Sequence, residues 1–155
     1  MWIGIDPGQS GGVAMVTDEG EWVGGRRMPV RVFGKRKLVD TRALTEWLGA
    51  IRPYGRESVL RGVVVEQVSA MPRQGATSGF NFGRHAGAVE GWVLGLQVDP
   101  VFVTPSVWKR RLGLSSDKQQ SLDMAKLLFG PLSLWNVKAN DGIAEAGLLA
   151  VHCRE

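Results

Sequence analysis

Asp6 closes an apolar run, MWIGID, and Glu66 closes another, VVVE. Further along, in NDGIAEAGLLAVHC, Asp141 and Glu145 stand four residues apart and so share one face of a helix. Each acid alone has an ordinary use. Asp6-Pro7-Gly8 is turn chemistry, and Asp141 suits a helix N-terminus. As a set they call for more. If the strands ending in Asp6 and Glu66 are parallel neighbours, two carboxylates meet, and buried like charges repel unless a cation lies between them. The segment around Asp141 and Glu145 is otherwise Ala, Gly, Leu and Val, so it packs on both sides and its acids are not there for solubility. Four oxygen donors without suitably spaced His or Cys fit a hard cation, Mg²⁺ or Mn²⁺. Two such ions about 3.5–4 Å apart are a device for in-line phosphodiester hydrolysis.

Such a site needs a scaffold that brings distant residues to one place. Trp2–Asp6, Val13–Thr17 and Trp22–Met28 read as three strands, with Asp18-Glu19-Gly20 as the turn between the second and third. Asp40 or Thr41 caps a helix whose Leu44, Trp47, Leu48 and Ile51 share a face, and Pro53 with Tyr54-Gly55 ends it. The run from Leu60 to Glu66 has the Val-rich composition of a central strand buried on both faces. A second helix spans Phe80–Leu96 and a short strand Val101–Val103. Pro105 opens a helical turn through Trp108. Ser116 with Gln119 suggests a capping box for a helix over Asp117–Phe129, stopped by Gly130-Pro131. The last helix starts near Asn140-Asp141. The order β-β-β-α-β-α-β-α-α implies an α/β fold: a mixed five-stranded sheet, three antiparallel strands then helix-linked parallel strands, with helices on both faces. Without linker, internal repeat or low-complexity stretch, residues 1–155 read as a single domain.

Composition narrows the class. Apolar residues make up 44% and charged residues 22%, the balance of a globular chain. No apolar run reaches the roughly 18 residues of a membrane helix. A secretory signal is also not apparent, so the expectation is a cytoplasmic protein with no membrane partner. Cys153 is the sole cysteine, which excludes an internal disulfide and a cysteine zinc cluster. Net charge is only +4, but its distribution is uneven. Arg26, Arg27, Arg31, Lys35, Arg36 and Lys37 form one basic stretch, and Lys109, Arg110 and Arg111 another. Either a phosphate backbone or a merely solvated face accounts for them on charge alone.

Taken in register, IGIDPG…GGVA, VVVEQV, TPSVWK and DGIAEA resemble the RuvC-like Holliday junction resolvases, in their phage and bacterial branch, within the ribonuclease H-like superfamily. The resemblance covers nearly the whole chain. It implies a ribonuclease H-like fold and a site holding two Mg²⁺, with Mn²⁺ able to substitute. It also implies a homodimer that nicks four-way DNA junctions symmetrically. By position, Asp6 is similar to the family's first-strand carboxylate, Glu66 to its second-strand glutamate, and Asp141 to the first acid of the C-terminal helix. Many members carry an Asp three residues after that acid. Here Ala144 stands there, and Glu145, one place on, is the substitute. His152 reaches such a site only if its helix bends, and otherwise packs.

The resemblance also gives roles to motifs that residue chemistry leaves open. Lys118 is similar to a lysine near the scissile phosphate, though alone it reads as an exposed charge. Trp108, Lys109, Arg110 and Arg111 are placed on a DNA arm, contributing affinity and not sequence choice. The loop after Glu66 implies junction-opening contacts from Met71 and Arg73 first. Phe80 is a stacking group there, or else a core anchor with Phe82. Gly83, Gly87, Gly91 and Gly95 recur every four residues in a helix where each costs roughly 1 kcal/mol relative to alanine. Close approach must offset that cost, either to the chain's own sheet or to a twofold mate. Gly8, Gly11 and Gly12 are expected to let a nucleic-acid backbone come near Asp6.

Three other readings remain at this point. GIDPGQSGG is similar to the phosphate hairpin of sugar kinase and actin-like ATPases, which need two lobes and a longer chain. Another ribonuclease H-like nuclease would cut flaps, RNA–DNA hybrids or RNA precursors. A catalytically silent binder would recognise branched DNA without cutting it. No helicase or motor partner can be named from the sequence.

Overall fold

The computed structural model describes residues 1–51, 59–69 and 75–154. Its main sheet has the order β3-β2-β1-β6-β7, built from β1 (Trp2–Asp6), β2 (Gly12–Val16), β3 (Trp22–Arg27), β6 (Gly62–Glu66) and β7 (Pro100–Val103). β2 runs antiparallel to β1 and β3, whereas β6 is parallel to both β1 and β7. This is the mixed five-stranded sheet expected. A separate ribbon, β4 (Val30–Phe33) with β5 (Arg36–Val39), was not expected. In the sequence only the basic residues of this segment stand out, and they are assigned to no element.

Strand alternation divides the core in two. Ile3, Ile5, Val13, Met15, Val63 and Val65 face α1 (Thr41–Ile51) and α2 (Ala76–Gly95), which supply Leu44, Leu48, Val89, Trp92 and Val93. On the other face, Val16 and Val64 meet α3 (Pro105–Arg111), α4 (Lys118–Phe129) and α5 (Asp141–Arg154). There Trp22, Phe129 and Trp135 pack ring to ring with centroids 5.0–6.0 Å apart. Helices therefore cover both faces. None of those described is long and apolar enough to cross a membrane.

Local chemistry sets the helix starts. Asp40 accepts from the Ala43 N–H at 3.1 Å, the cap foreseen for α1. At α4 the cap is Asp117, whose carboxylate accepts from Gln119 N–H at 2.9 Å, and not the Ser116–Gln119 box. A carboxylate one residue nearer the helix meets the free N–H first. The second helix begins at Ala76, before Phe80, and the turn at Pro105 extends to Arg111. Pro53 and Tyr54-Gly55 lie outside the described residues.

Helix α5 runs against β1 and β2 at backbone distance. A Cβ on Gly4 would lie 1.9 Å from the Ala146 carbonyl oxygen, and one on Gly12 2.8 Å from the Ile143 nitrogen. From Asp141 through His152 every residue is buried. The expectation for Gly11 and Gly12 is thus corrected. Gly12 makes room for a helix of the same chain, and a Cβ on Gly11 would strike Asp6 itself at 2.2 Å. Neither leaves space for a nucleic-acid backbone.

Candidate active site

Ile5 sits opposite Val65 in parallel register, so the next residues, Asp6 and Glu66, emerge at the same end of adjacent strands. The close approach of α5 lays its first turns over that end, where Gly11 bridges Gly142. Asp141 and Glu145, 6% and 8% exposed, are thereby buried beside the strand-end acids. Charges crowd as a result. Burial, then the charges of Glu145 and Asp141, push Asp6 up to about 6 even though the Gly8 N–H donates to its Oδ1 at 3.0 Å. Burial and the charge of Asp6 push Glu66 up to about 7, opposed by a hydrogen bond from Trp108 Nε1 at 3.0 Å.

Two lysines counter this negative charge. Lys109 Nζ lies 2.6 Å from Glu145 Oε1, which also accepts from Ser121 Oγ at 3.0 Å. The Lys118 ammonium pairs with Asp141, and that carboxylate raises the lysine's own pKa. With Asp141 and Glu145 drawn onto lysines, no three acids, histidines or cysteines among the described residues stand close enough to hold one ion. The donor chemistry nevertheless fits a divalent cation: four carboxylates, all oxygen donors, at one end of the sheet.

No protein family and no curated protein matches the chain by sequence. Solved structures do. Thermus thermophilus RuvC in complex with Holliday junction substrate superposes with a TM-score of 0.63 at 18% identity, covering 97% of this chain and 90% of that one. A second Thermus thermophilus RuvC structure gives 0.53 at 18% identity, covering 97% and 91%. The fold is that of RuvC.

On this RuvC fold the four acids expected from the sequence, Asp6, Glu66, Asp141 and Glu145, lie at one end of the sheet with Lys118. Other expectations need correcting. Trp108 is 0% exposed and cannot lie on a DNA arm, since its indole is sealed in the core with its N–H on Glu66. Lys109 points inward to Glu145, whereas Arg110 and Arg111 are exposed. Phe80 is no core anchor: it is 66% exposed, with the Arg84 guanidinium 5.7 Å from its ring centroid. Met71 and Arg73 lie outside the described residues. His152 is buried in the last turn of α5, seven residues beyond Glu145.

The glycine stripe does not meet its own sheet. Gly83, Gly87, Gly91 and Gly95 are exposed, and among the described residues a Cβ on any of them would meet nothing within 4 Å.

Two contributors escaped the sequence reading. Ser121 is fully buried against Glu145, but one serine in SLDMAK carries no spacing signal. Arg27 Nε donates to Asn140 Oδ1 at 2.8 Å while the Asn140 amide donates to the Leu134 carbonyl, fixing the residue before Asp141. Only the adjacency of Asn140 to Asp141 hinted at the second.

Proposed function

We propose that this chain is a structure-selective endonuclease that resolves four-way DNA junctions by paired, symmetric nicks. The observation that carries the reading is the meeting of four acids from three separate elements at one end of a RuvC fold. The RuvC structure superposed above holds Holliday junction substrate, which supports the choice of DNA.

In this reading Asp6, Glu66, Asp141 and Glu145 would hold two Mg²⁺ or Mn²⁺ ions. When bound, such ions activate water and neutralise charge on the leaving oxygen. The chain's own contribution is placement. Trp108 orients Glu66 through its N–H, Ser121 orients Glu145, and the Arg27–Asn140 contact fixes the start of α5. Lys118, 60% exposed at its side chain, is positioned to exchange Asp141 for a phosphate oxygen beside the bond to be cut. Arg110, Arg111 and Phe80 offer exposed cationic and stacking groups for DNA, and Met71 and Arg73 retain the junction-opening role their motif implies. Four exposed glycines on α2 burden the helix without an offsetting contact in the described chain, which favours pairing of this face with a second copy.

The test is cleavage of a four-way DNA junction beside linear duplex, flap and RNA–DNA hybrid, with Mg²⁺ or with EDTA. Paired nicks in the junction, only with metal, are the expected result. Cleavage of the hybrid with the junction intact would transfer the function to a ribonuclease. Metal-independent junction binding without any cleavage would make the chain a silent binder.

A further inference from the structure

The basic stretch noticed in the sequence divides in the structure. Arg26 and the exposed Arg27 are engaged within the chain, donating to the Ala43 carbonyl and to Asn140. Arg31, Lys35, Arg36 and Lys37 are all exposed on the β4–β5 ribbon. The ribbon carries no acid from Val30 through Val39. Among the described residues Arg31 alone of these four has an acidic partner, Asp40 at 3.5 Å.

Strand register locates the ribbon relative to the acids. Asp6 is opposite Gly12, and Gly12 is opposite Arg27. The chain therefore leaves β3 at the sheet end that bears the four carboxylates, and the ribbon starts three residues later. Its base is fixed. Met28 N–H donates to the Gly11 carbonyl at 2.9 Å, Asp40 N–H to the Pro29 carbonyl at 2.8 Å, and Met28 and Val39 are buried. Buried His85 of α2 lies with Nε2 2.9 Å from the Lys37 carbonyl oxygen, and the Gln9 amide is 3.3 Å from the same nitrogen. Gln9 belongs to the turn between Asp6 and Gly12, so the ribbon is tied to the loop that carries the first catalytic acid.

Beyond that base the ribbon stands in solvent with an arranged face. Residues directly opposite in a two-stranded ribbon share a face, and so do residues two apart. Phe33 pairs with Arg36, and Arg31 with Leu38, which gathers Arg31, Phe33 and Arg36 on one side. Phe33 is 53% exposed, with the Arg31 guanidinium 5.7 Å from its ring centroid. Gly34, at φ +58°, supplies the tight two-residue turn that puts Lys35 at the tip. On the opposite side Val32, 63% exposed, faces Lys37. An exposed aromatic between two guanidiniums, with two lysines close by, is the combination that grips a nucleic-acid backbone while offering a surface for sugar or base.

We infer that the β4–β5 ribbon is a second DNA contact, holding one arm of the branched substrate beside the active site through Lys35 and Arg36, with Lys37 from the ribbon's other side, to phosphates and Phe33 to sugar or base. The inference rests on the proposed junction substrate and adds to it the surface that fixes an arm.

Binding is measured by fluorescence anisotropy with a labelled four-way junction, in EDTA and over a range of salt, so that cleavage plays no part. Variants are Lys35→Glu/Arg36→Glu/Lys37→Glu and Phe33→Ala. Thermal melting checks that each is folded. The triple variant is expected to bind at least tenfold more weakly, with the slope of log K against log salt shallower by about 2–3. Phe33→Ala should weaken binding about threefold to tenfold and leave the slope unchanged, because it removes a surface and not a charge. Wild-type affinity and slope in both variants would overturn the ribbon's role while the junction reading stood. Loss of self-association with unchanged DNA affinity would also overturn it, assigning the ribbon to a protein contact. A wild-type chain that binds no junction would remove the ribbon inference together with the reading beneath it.

Discussion

Asp6 is kept in a state that costs the metal-free chain stability. Its pKa is raised from 3.8 to about 6, and that of Glu66 from 4.5 to about 7. Across those intervals the folded chain holds more protons than the unfolded one, so these groups lower stability as pH rises, and the full cost is present above about pH 7. Asp6→Asn removes one of the charges and keeps the oxygen that accepts from Gly8. In EDTA at pH 8 the variant should melt above wild type, by about 5 °C for an effect on the order of 2 kcal/mol. The difference should shrink toward pH 4. If Asp6 holds metal as proposed, Mg²⁺ at pH 8 should raise the wild-type melting temperature more than the variant's. Junction cleavage should fall to background while binding persists. Melting curves at pH 4 and 8, with EDTA and with Mg²⁺, check the argument, and a variant less stable than wild type at pH 8 without metal would refute it.

At the scale of elements, two helices use glycine in opposite ways. Beneath α5, Gly4 admits a backbone: its Cβ would lie 1.9 Å from the Ala146 carbonyl oxygen, and a carbonyl cannot yield as a side-chain tip can. Gly4→Ala should therefore cost about 3 kcal/mol or more and displace α5, taking Asp141 and Glu145 from Asp6. On α2, Gly87→Ala meets nothing in the described chain and should stabilise the helix by roughly 1 kcal/mol while weakening self-association. Chemical denaturation at low protein concentration, with sedimentation for the dimer, separates the two effects. The sequence disclosed the apolar strand ends at Asp6 and Glu66 and the i, i+4 acids of α5, because periodicity and charge in an apolar run are local signals. It did not disclose which surface each glycine serves, because a glycine carries no mark of its neighbour. Trp108 was misplaced for a related reason. A tryptophan beside Lys-Arg-Arg suggests a DNA face, whereas in α3 the indole turns into the core and only Arg110 and Arg111 stay outside. The β4–β5 ribbon was hidden because its strands are four residues each, β4 is exposed throughout and only Val39 of β5 is buried, too little to impose a period.

For the molecule as a whole, the charge is divided by purpose. Four of the 15 acids are drawn into one site together with Lys109 and Lys118, leaving 11 acids for the rest of the chain against 17 of the 19 lysines and arginines. The remaining surface is thus more basic than the net +4 suggests, which suits a polyanion. In the proposed function one such site would cut one strand, whereas resolving a four-way junction requires two cuts related by symmetry. A twofold pairing through the open glycine face of α2 would supply the second site on the same substrate. Mixing wild-type protein with an equal amount of Asp6→Asn and allowing exchange tests this directly. Random pairing would leave roughly a quarter of the dimers with two intact sites and about half with one. On a plasmid cruciform, whose supercoils are lost at the first cut, a dimer with both sites produces linear DNA. A mixed dimer produces nicked circles. The mixture should shift the product from linear to nicked circles well beyond the twofold dilution of active chains. If the variant merely dilutes the wild type, keeping the ratio of linear to nicked product, the paired cuts come from independent chains and the α2 stripe is not the basis of symmetric resolution.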